Sequence, residues 1–412
     1  MTSEDLTARW RVSLPDLRRY DALALTALVW FLGKFIRYAF PPLFGRFEIV
    51  YGVSRTALGA AFSSLMLVYA AMQLPSGLVA DRYGSVAVII AGGVVTGSGA
   101  LLLVVNGSFP LLVVAMLLVG AGSGTYKTVA IELLSRIYPS ETGRSLGVFD
   151  TVGSLAGVAA PAAIVATTAL PGVFGAPWRT LFLAGGLAVV GVAAAFAVRV
   201  PRRLPDRSTA PSGRDSTLPF REYLDLFRQP RFSAFVAVTI LFSFTYNALV
   251  AFLPLYLTAT AELTPTTANL LFSVLFAVSL VQLATGEASD QIGVLHILTV
   301  TLVAATVGLV GLVALSGRVG AVALGVLIVL LGLGSHGYRP VRGAYLMEVL
   351  PQDVAKGTLG VVRTLLVGAG AVGPAVVGYL SEVTNFQVAF TILTVAFGAA
   401  TGVTVILWVT DR

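Results

Sequence analysis

Cysteine is absent from all 412 residues, which excludes disulfide bridges, thiolate metal sites and cysteine nucleophiles. Histidine occurs only twice, leaving little from which to build a metal centre, and none is expected. Charge is scarce as well: Asp, Glu, Lys and Arg make up 11% of the chain, against roughly 25% in a soluble domain. The first twenty residues, MTSEDLTARWRVSLPDLRRY, lack the apolar core and small-residue cleavage site of a signal peptide, so the N-terminus is expected to stay in the cytoplasm. No GxxxxGK[ST] loop occurs, so the chain shows no nucleotide-driven motor of its own. No nucleophile, metal set or pair of catalytic carboxylates converges in any apolar run, which argues against an enzyme, and no cofactor is implied.

What is present is apolar. Hydrophobic residues make up 57% of the chain and the mean hydropathy is +0.89. Runs of about 20 residues, each long enough at about 1.5 Å per residue to cross a hydrocarbon core of about 30 Å, recur at 22–44, 56–80, 86–106, 109–136, 145–170, 180–199, 232–257, 266–289, 295–316, 319–347, 357–380 and 387–409. They are continuous and lack the alternation of barrel strands, so they are expected to be helices whose backbones satisfy their own hydrogen bonds in lipid. The expected fold class is all-α, a polytopic membrane protein of twelve transmembrane helices in two six-helix bundles.

A net charge of +7 in a soluble protein would suggest nucleic acid; here it gives orientation instead, and no nucleic-acid partner is expected. With the N-terminus in the cytoplasm, 17 of the 27 Lys and Arg fall in cytoplasmic segments, 4 in external segments (Arg46, Arg55, Arg179, Arg318) and 6 inside spans. That distribution obeys the positive-inside rule and predicts a multi-pass plasma-membrane protein with both termini cytoplasmic.

The long polar interruption at 199–231, RVPRRLPDRSTAPSGRDSTLPFREYLDLFRQPR, reads as a cytoplasmic linker lying on anionic headgroups. The expected organisation is a cytoplasmic segment (1–21), a first six-helix bundle (22–199), the linker (200–231) and a second bundle (232–412). The two bundles are related by an internal repeat. Gly77, Asp81 and Gly84 in SGLVADRYG return 209 residues later as Gly286, Asp290 and Gly293 in TGEASDQIG. GAGSGTYK (120–127) returns at an offset of 212 as GLGSHGYR (332–339), and LGVFDTVGSLAGVAAP (146–161) at an offset of 213 as LGVVRTLLVGAGAVGP (359–374).

With these motifs the chain resembles the major facilitator superfamily, whose pattern places a Gly-x-x-x-Asp-Arg-x-Gly turn after helix 2 and a weaker copy after helix 8. Gly77, Asp81, Arg82 and Gly84 match the first turn; Gly286, Asp290 and Gly293 match the second, where Gln291 replaces the basic residue. Helix 4 departs from the proton-coupled drug exporters, with Met116 at their arginine position. Helix 5 departs too, reading Gly153, Gly157 and then Ala160-Pro161. Helix 1, FLGKFIRYAFPPLFGRF, looks like members that carry organophosphates and other anions, whose lone substrate-binding arginine is matched by Arg37. Helix 7 offers Tyr246 and Asn247 where phosphate-ester exchangers carry a second arginine. The resemblance implies a secondary transporter with helices 1, 4, 7 and 10 around a central cavity.

A cation at mid-bilayer costs at least about 2.5–3.5 kcal/mol, and this chain places six inside spans: Lys34, Arg37, Lys127, Arg339, Arg342 and Arg363. Lys127 and Arg339 hold equivalent places in helices 4 and 10, each after a tyrosine, Tyr126 and Tyr338. The repeat therefore predicts two tyrosine–cation pairs facing each other across the cavity, joined by Arg37 from helix 1. None of these three cations has an evident local acid, and an anion suits their paired donors and point charges. Arg342, Lys34, Tyr246 and Asn247 complete the expected binding set. Snorkelling or pairing with acids is the alternative for each cation, as in the i,i+4 spacing of Glu132 and Arg136. Asp150 and Arg363, equivalent in helices 5 and 11, are expected to form gating ion pairs together with Asp81 and Arg82. His336, three residues before Arg339, is placed to couple proton movement to anion binding. The expected partners are thus a small anionic substrate, the lipid bilayer and a co-transported proton or other ion. The competing readings are proton-coupled efflux of lipophilic compounds and a non-transporting receptor.

Overall fold

A computed structural model describes residues 18–105, 107–169, 172, 174–204, 227–349 and 368–410, and these form helices and short connections with no β-strand. Eleven helices among them are long and apolar enough to cross a membrane. They are α1 (Asp21–Tyr51), α2 (Arg55–Tyr83), α3 (Ser85–Leu102), α4 (Phe109–Ile137), α5 (Pro139–Thr167), α6 (Pro177–Arg203), α7 (Pro230–Ala259), α8 (Pro265–Ile292), α9 (Val294–Leu315), α10 (Ala321–Leu346) and α12 (Phe386–Thr410). Between the last two lies α11 (Gly373–Val383). Residues 357–367 of the expected 357–380 span, including Arg363, are outside the described residues, as is most of the linker.

The helix starts follow local chemistry. Pro177, Pro230 and Pro265 open α6, α7 and α8 at positions where a missing N–H costs nothing. Ser54 and Thr264 cap α2 and α8 by accepting from the amides of Ala57 and Thr267, each at 3.2 Å. The repeated turn motif is built twice in one way. Gly84 (φ +90°) and Gly293 (φ +107°) separate α2 from α3 and α8 from α9 in the left-handed region, where a side chain is strained.

Three spans expected to be continuous are broken. A 3₁₀ turn at Pro41–Leu43 interrupts α1 just beyond Arg37, and the chain then runs helically to Tyr51, seven residues past the expected end. Consecutive prolines explain it, because each removes a donor and clashes with the preceding turn. In α4 the helix pauses at Thr125 and restarts at Tyr126, and α8 passes through a 3₁₀ turn at Val278–Leu280. Lys127 thus stands at the start of a new segment.

Within the first half α3 packs on α4 and α6, and α1 on α5; within the second, α9 packs on α10 and α12, and α7 on α12. The repeat is visible in this packing. A Cβ on Gly122 would lie 2.4 Å from the Gly92 carbonyl oxygen of α3, and one on Gly334 would lie 2.4 Å from the Thr301 carbonyl oxygen of α9. Small residues let these backbones touch, as helices in lipid commonly do.

The halves meet along α2–α11 and α5–α8, with α1 against α7. At the end away from the linker, Arg55 sits 3.1 Å from Glu48, donates to the Ser381 carbonyl at 3.2 Å and lies over the Phe386 ring. Thr56 donates to Glu382 through its amide and its hydroxyl. Deeper, the Ala375 amide donates to Ser63 Oγ at 2.8 Å, and Ser273 donates to the Val158 carbonyl at 3.1 Å. Phe44 meets Phe252 edge-on, with ring centres 5.3 Å apart. The molecule is therefore clasped shut at this end. At the linker end, Tyr20 donates to Glu141 at 2.8 Å, and that bond raises the Tyr20 pKa above the ordinary phenol value.

Candidate functional site

The cavity helices bring four cations to one place. Lys34 and Arg37 come from α1, Lys127 from α4 and Arg339 from α10, and all four line an internal space of about 170 Å³ with Trp30, Tyr38, Tyr69, Tyr246 and Asn247. Lys34 and Arg37 are 8% and 5% exposed. A second space of about 340 Å³ shares Lys34, Lys127, Tyr246, Asn247 and Arg339 with the first, so the two are continuous. It adds Asp150, Gln282 and Arg342 on the side away from the clasp. Among the described lining residues, five cations face one carboxylate.

Aromatic rings hold these cations. The Arg37 guanidinium lies 4.3 Å from the centre of the Tyr69 ring and 5.5 Å from that of Tyr38. Arg339 lies 4.4 Å from the Tyr246 ring centre, and Lys34 Nζ lies between Trp30 at 5.3 Å and Tyr38 at 5.7 Å. Cation–π contacts contribute about 2 kcal/mol each when desolvated, which offsets part of the cost of each buried charge. Trp30 Nε1, Arg37 Nη1 and the Tyr246 hydroxyl are buried at this cavity with no hydrogen bond of good geometry. Buried polar groups without partners are unusual; Trp30 Nε1 packs against Gly153 of α5, whereas Arg37 and Tyr246 line the cavity.

Several expectations are corrected here. Lys127 does have a local acid: its Nζ lies 3.0 Å from Asp150 Oδ1, because the restart of α4 turns the lysine toward α5. Of the two residues expected to form gating ion pairs with Asp81 and Arg82, Asp150 is therefore the partner of Lys127, and Arg363 falls outside the described residues. Tyr126 and Tyr338 do not face each other across the cavity. Tyr126 is wedged against Gly33 of α1 and donates to Thr96 at 2.9 Å, while Tyr338 stacks on Phe242 of α7 at 4.2 Å and lies 3.4 Å from the Thr239 hydroxyl. The pseudo-symmetry is real, but it uses both rings to seal a cavity helix against its neighbour. Glu132 and Arg136 form no ion pair within 4 Å.

Tyr246, Asn247 and Arg342 fall on the cavity wall as expected. His336 is 1% exposed, between the rings of Tyr246 and Phe276, and is not part of that wall. Asp81 and Arg82 are exposed at the end of α2, Asp290 is exposed in α8, and Gly77 and Gly286 lie inside those helices. Trp30, Tyr38 and Tyr69 went unforeseen. The first two were legible, since Trp30, Lys34 and Tyr38 recur every four residues on one helical face. Tyr69 reaches Arg37 from another helix, and no local pattern announces it.

A family profile described as Major Facilitator Superfamily matches residues 23–366 and 261–412. The chain belongs to this superfamily. It is a membrane transporter in type, not an enzyme. Among curated proteins, it is 29% identical over 141 residues to the probable sulfoacetate transporter SauU of Cupriavidus necator. That match covers 34% of this chain and 32% of the relative, so it spans about a third of the relative's length. Solved structures show the same fold. A bacterial homolog to the human lysosomal transporter Spinster, inward-facing and unoccupied, gives a TM-score of 0.72 at 16% identity over 96% of both chains. The D-xylose-proton symporter gives 0.74 at 12% identity, covering 93% of this chain and 96% of that one. The nucleoside transporter NupG gives 0.72 at 14% identity, covering 94% and 99%.

Proposed function

We propose that this superfamily member carries a small organic anion across the plasma membrane by alternating access, driven by an ion gradient or by exchange. The observation that carries the reading is the lining of the central cavity, where Lys34, Arg37, Lys127, Arg339 and Arg342 face Asp150 alone among the described residues. Cations at that depth are costly unless balanced, and a diffusible anion balances them only while it is being carried. The partial likeness to a sulfoacetate transporter supports an organic acid as the cargo.

The two bundles, 22–199 and 232–412, are the moving parts, and the linker joins them on the cytoplasmic side. With the termini cytoplasmic, the clasped end faces outward and the described conformation is closed to the outside. Asp81, Arg82 and Asp290 at the linker end, with Asp150 and Arg363, are the gating charges of the opposite closure. His336, beside Tyr246 and close to Lys34 and Arg339, is the candidate for proton coupling, and His336→Gln should flatten the pH dependence of uptake.

The test is uptake of labelled sulfoacetate, succinate and glycerol phosphate, beside a neutral lipophile, into proteoliposomes. Saturable uptake of at least one anion, abolished in Arg37→Ala, Lys127→Ala and Arg339→Ala, is the expected result. Flux of the neutral lipophile that survives all three variants would overturn the reading in favour of efflux.

A further inference from the structure

Among the described residues lining the cavity, Asp150 is the carboxylate that faces the five cations, and its position is informative. Lys127 lines both parts of the cavity, whereas Asp150 lines only the part away from the clasp and a third space between α5 and α8. The Asp150 side chain is 55% exposed and that of Lys127 is 24% exposed. Their pair therefore sits in water-accessible space, where ion pairs are weak and readily exchanged. On its other side Lys127 Nζ lies 5.7 Å from the Trp30 ring centre, within the deeper compartment that holds Arg37.

We infer that Asp150 is the resident counter-anion of the site: it holds Lys127 while the cavity is empty and yields it to the substrate. This rests on the anion-site reading above. A substrate entering the deeper compartment reaches Lys127 from the face that Asp150 does not occupy. Lys127 then turns on its flexible stem from one acceptor to the other, and the released carboxylate has the space beside Leu146, Gly147 and Gln282 to move into.

The exchange sets specificity. A neutral molecule offers Lys127 nothing to replace Asp150. A monoanion replaces one carboxylate with another and leaves Arg37, Lys34 and Arg339 unanswered. A dianion replaces Asp150 and presents a second charge to those cations. The preference for a doubly charged organic acid thus comes from Arg37, Lys34 and Arg339, while Asp150 lowers affinity for all anions by competing with them and sets the threshold a cargo must clear.

The experiment measures half-saturation for whichever of sulfoacetate, succinate and glycerol phosphate the wild type takes up best. Asp150→Asn should lower it about two- to fivefold, the range of an exposed ion pair. Because the chain has no native cysteine, Asp150→Cys allows a control on one folded preparation. Alkylation with iodoacetate rebuilds a carboxylate and should raise half-saturation again; iodoacetamide adds a neutral group of similar size and should not. Equal effects of the two reagents, or an unchanged or raised half-saturation in Asp150→Asn, overturn the role of Asp150 while leaving the anion site standing. Failure of the wild type to take up any of the three anions overturns both.

Discussion

Arg37 and Arg339 do different work from an exposed surface arginine. Each guanidinium lies over a tyrosine ring from another helix, Tyr69 and Tyr246 respectively, which holds it in place at the cavity. Lysine keeps the charge but loses the fork and the stacking plane. Under the proposed anion transport, Arg37→Lys should therefore raise half-saturation at least about tenfold, a difference of about 1.4 kcal/mol, in proteoliposome uptake with unchanged protein yield. Tyr126 gives the contrasting case. Its hydroxyl bond to Thr96 is buried and off the cavity wall, so Tyr126→Phe should lower stability by about 0.5–1.5 kcal/mol in thermal unfolding while half-saturation stays unchanged. The six intramembrane cations and the Trp30–Lys34–Tyr38 stripe were readable from single residues and their spacing. The partner of Lys127 was not, because Asp150 lies 23 residues away on a helix that only packing brings alongside.

At the scale of helices, the crossing of α2 and α11 brings backbone directly against backbone between the halves. A Cβ on Gly59 would lie 2.4 Å from the Pro374 carbonyl oxygen, and one on Gly378 would lie 2.5 Å from the Arg55 carbonyl oxygen. Backbone atoms cannot step aside as a side-chain tip can, so overpacking here costs about 1–3 kcal/mol in the clasped arrangement. Gly59→Ala should therefore shift the population toward separation at this end. Spin labels on Ile49→Cys and Val383→Cys, both exposed sites, should report a longer mean distance in that variant. The broken helices belong to the same scale. Pro41-Pro42 announced the break in α1, whereas the pauses at Thr125, whose hydroxyl donates to the Gly122 carbonyl at 2.9 Å, and at Val278–Leu280 carry no proline.

For the whole molecule, alternating access requires the α2–α11 seam to open and close in each cycle. Thr56 and Glu382 meet across that seam, and the native chain has no cysteine to compete in labelling. A short cleavable bifunctional thiol reagent across Thr56→Cys and Glu382→Cys should arrest uptake, and cleavage should restore it. Uptake that persists in the fully linked protein would show that the seam does not move in transport.

Composition, run length and the positions of Lys and Arg were enough to determine a helical membrane protein and its repeat, because lipid admits few backbone solutions and each apolar run declares itself locally. The same features marked cations that lipid cannot tolerate without a purpose. Which way each side chain turns was decided by tertiary structure alone. Tyr126 and Tyr338 face their neighbours instead of the cavity, Arg37 is held by Tyr69, and Lys127 is held by Asp150. These outcomes depend on helix rotation and local breaks, which arise from contacts between segments far apart in the chain, and no local pattern carries that information.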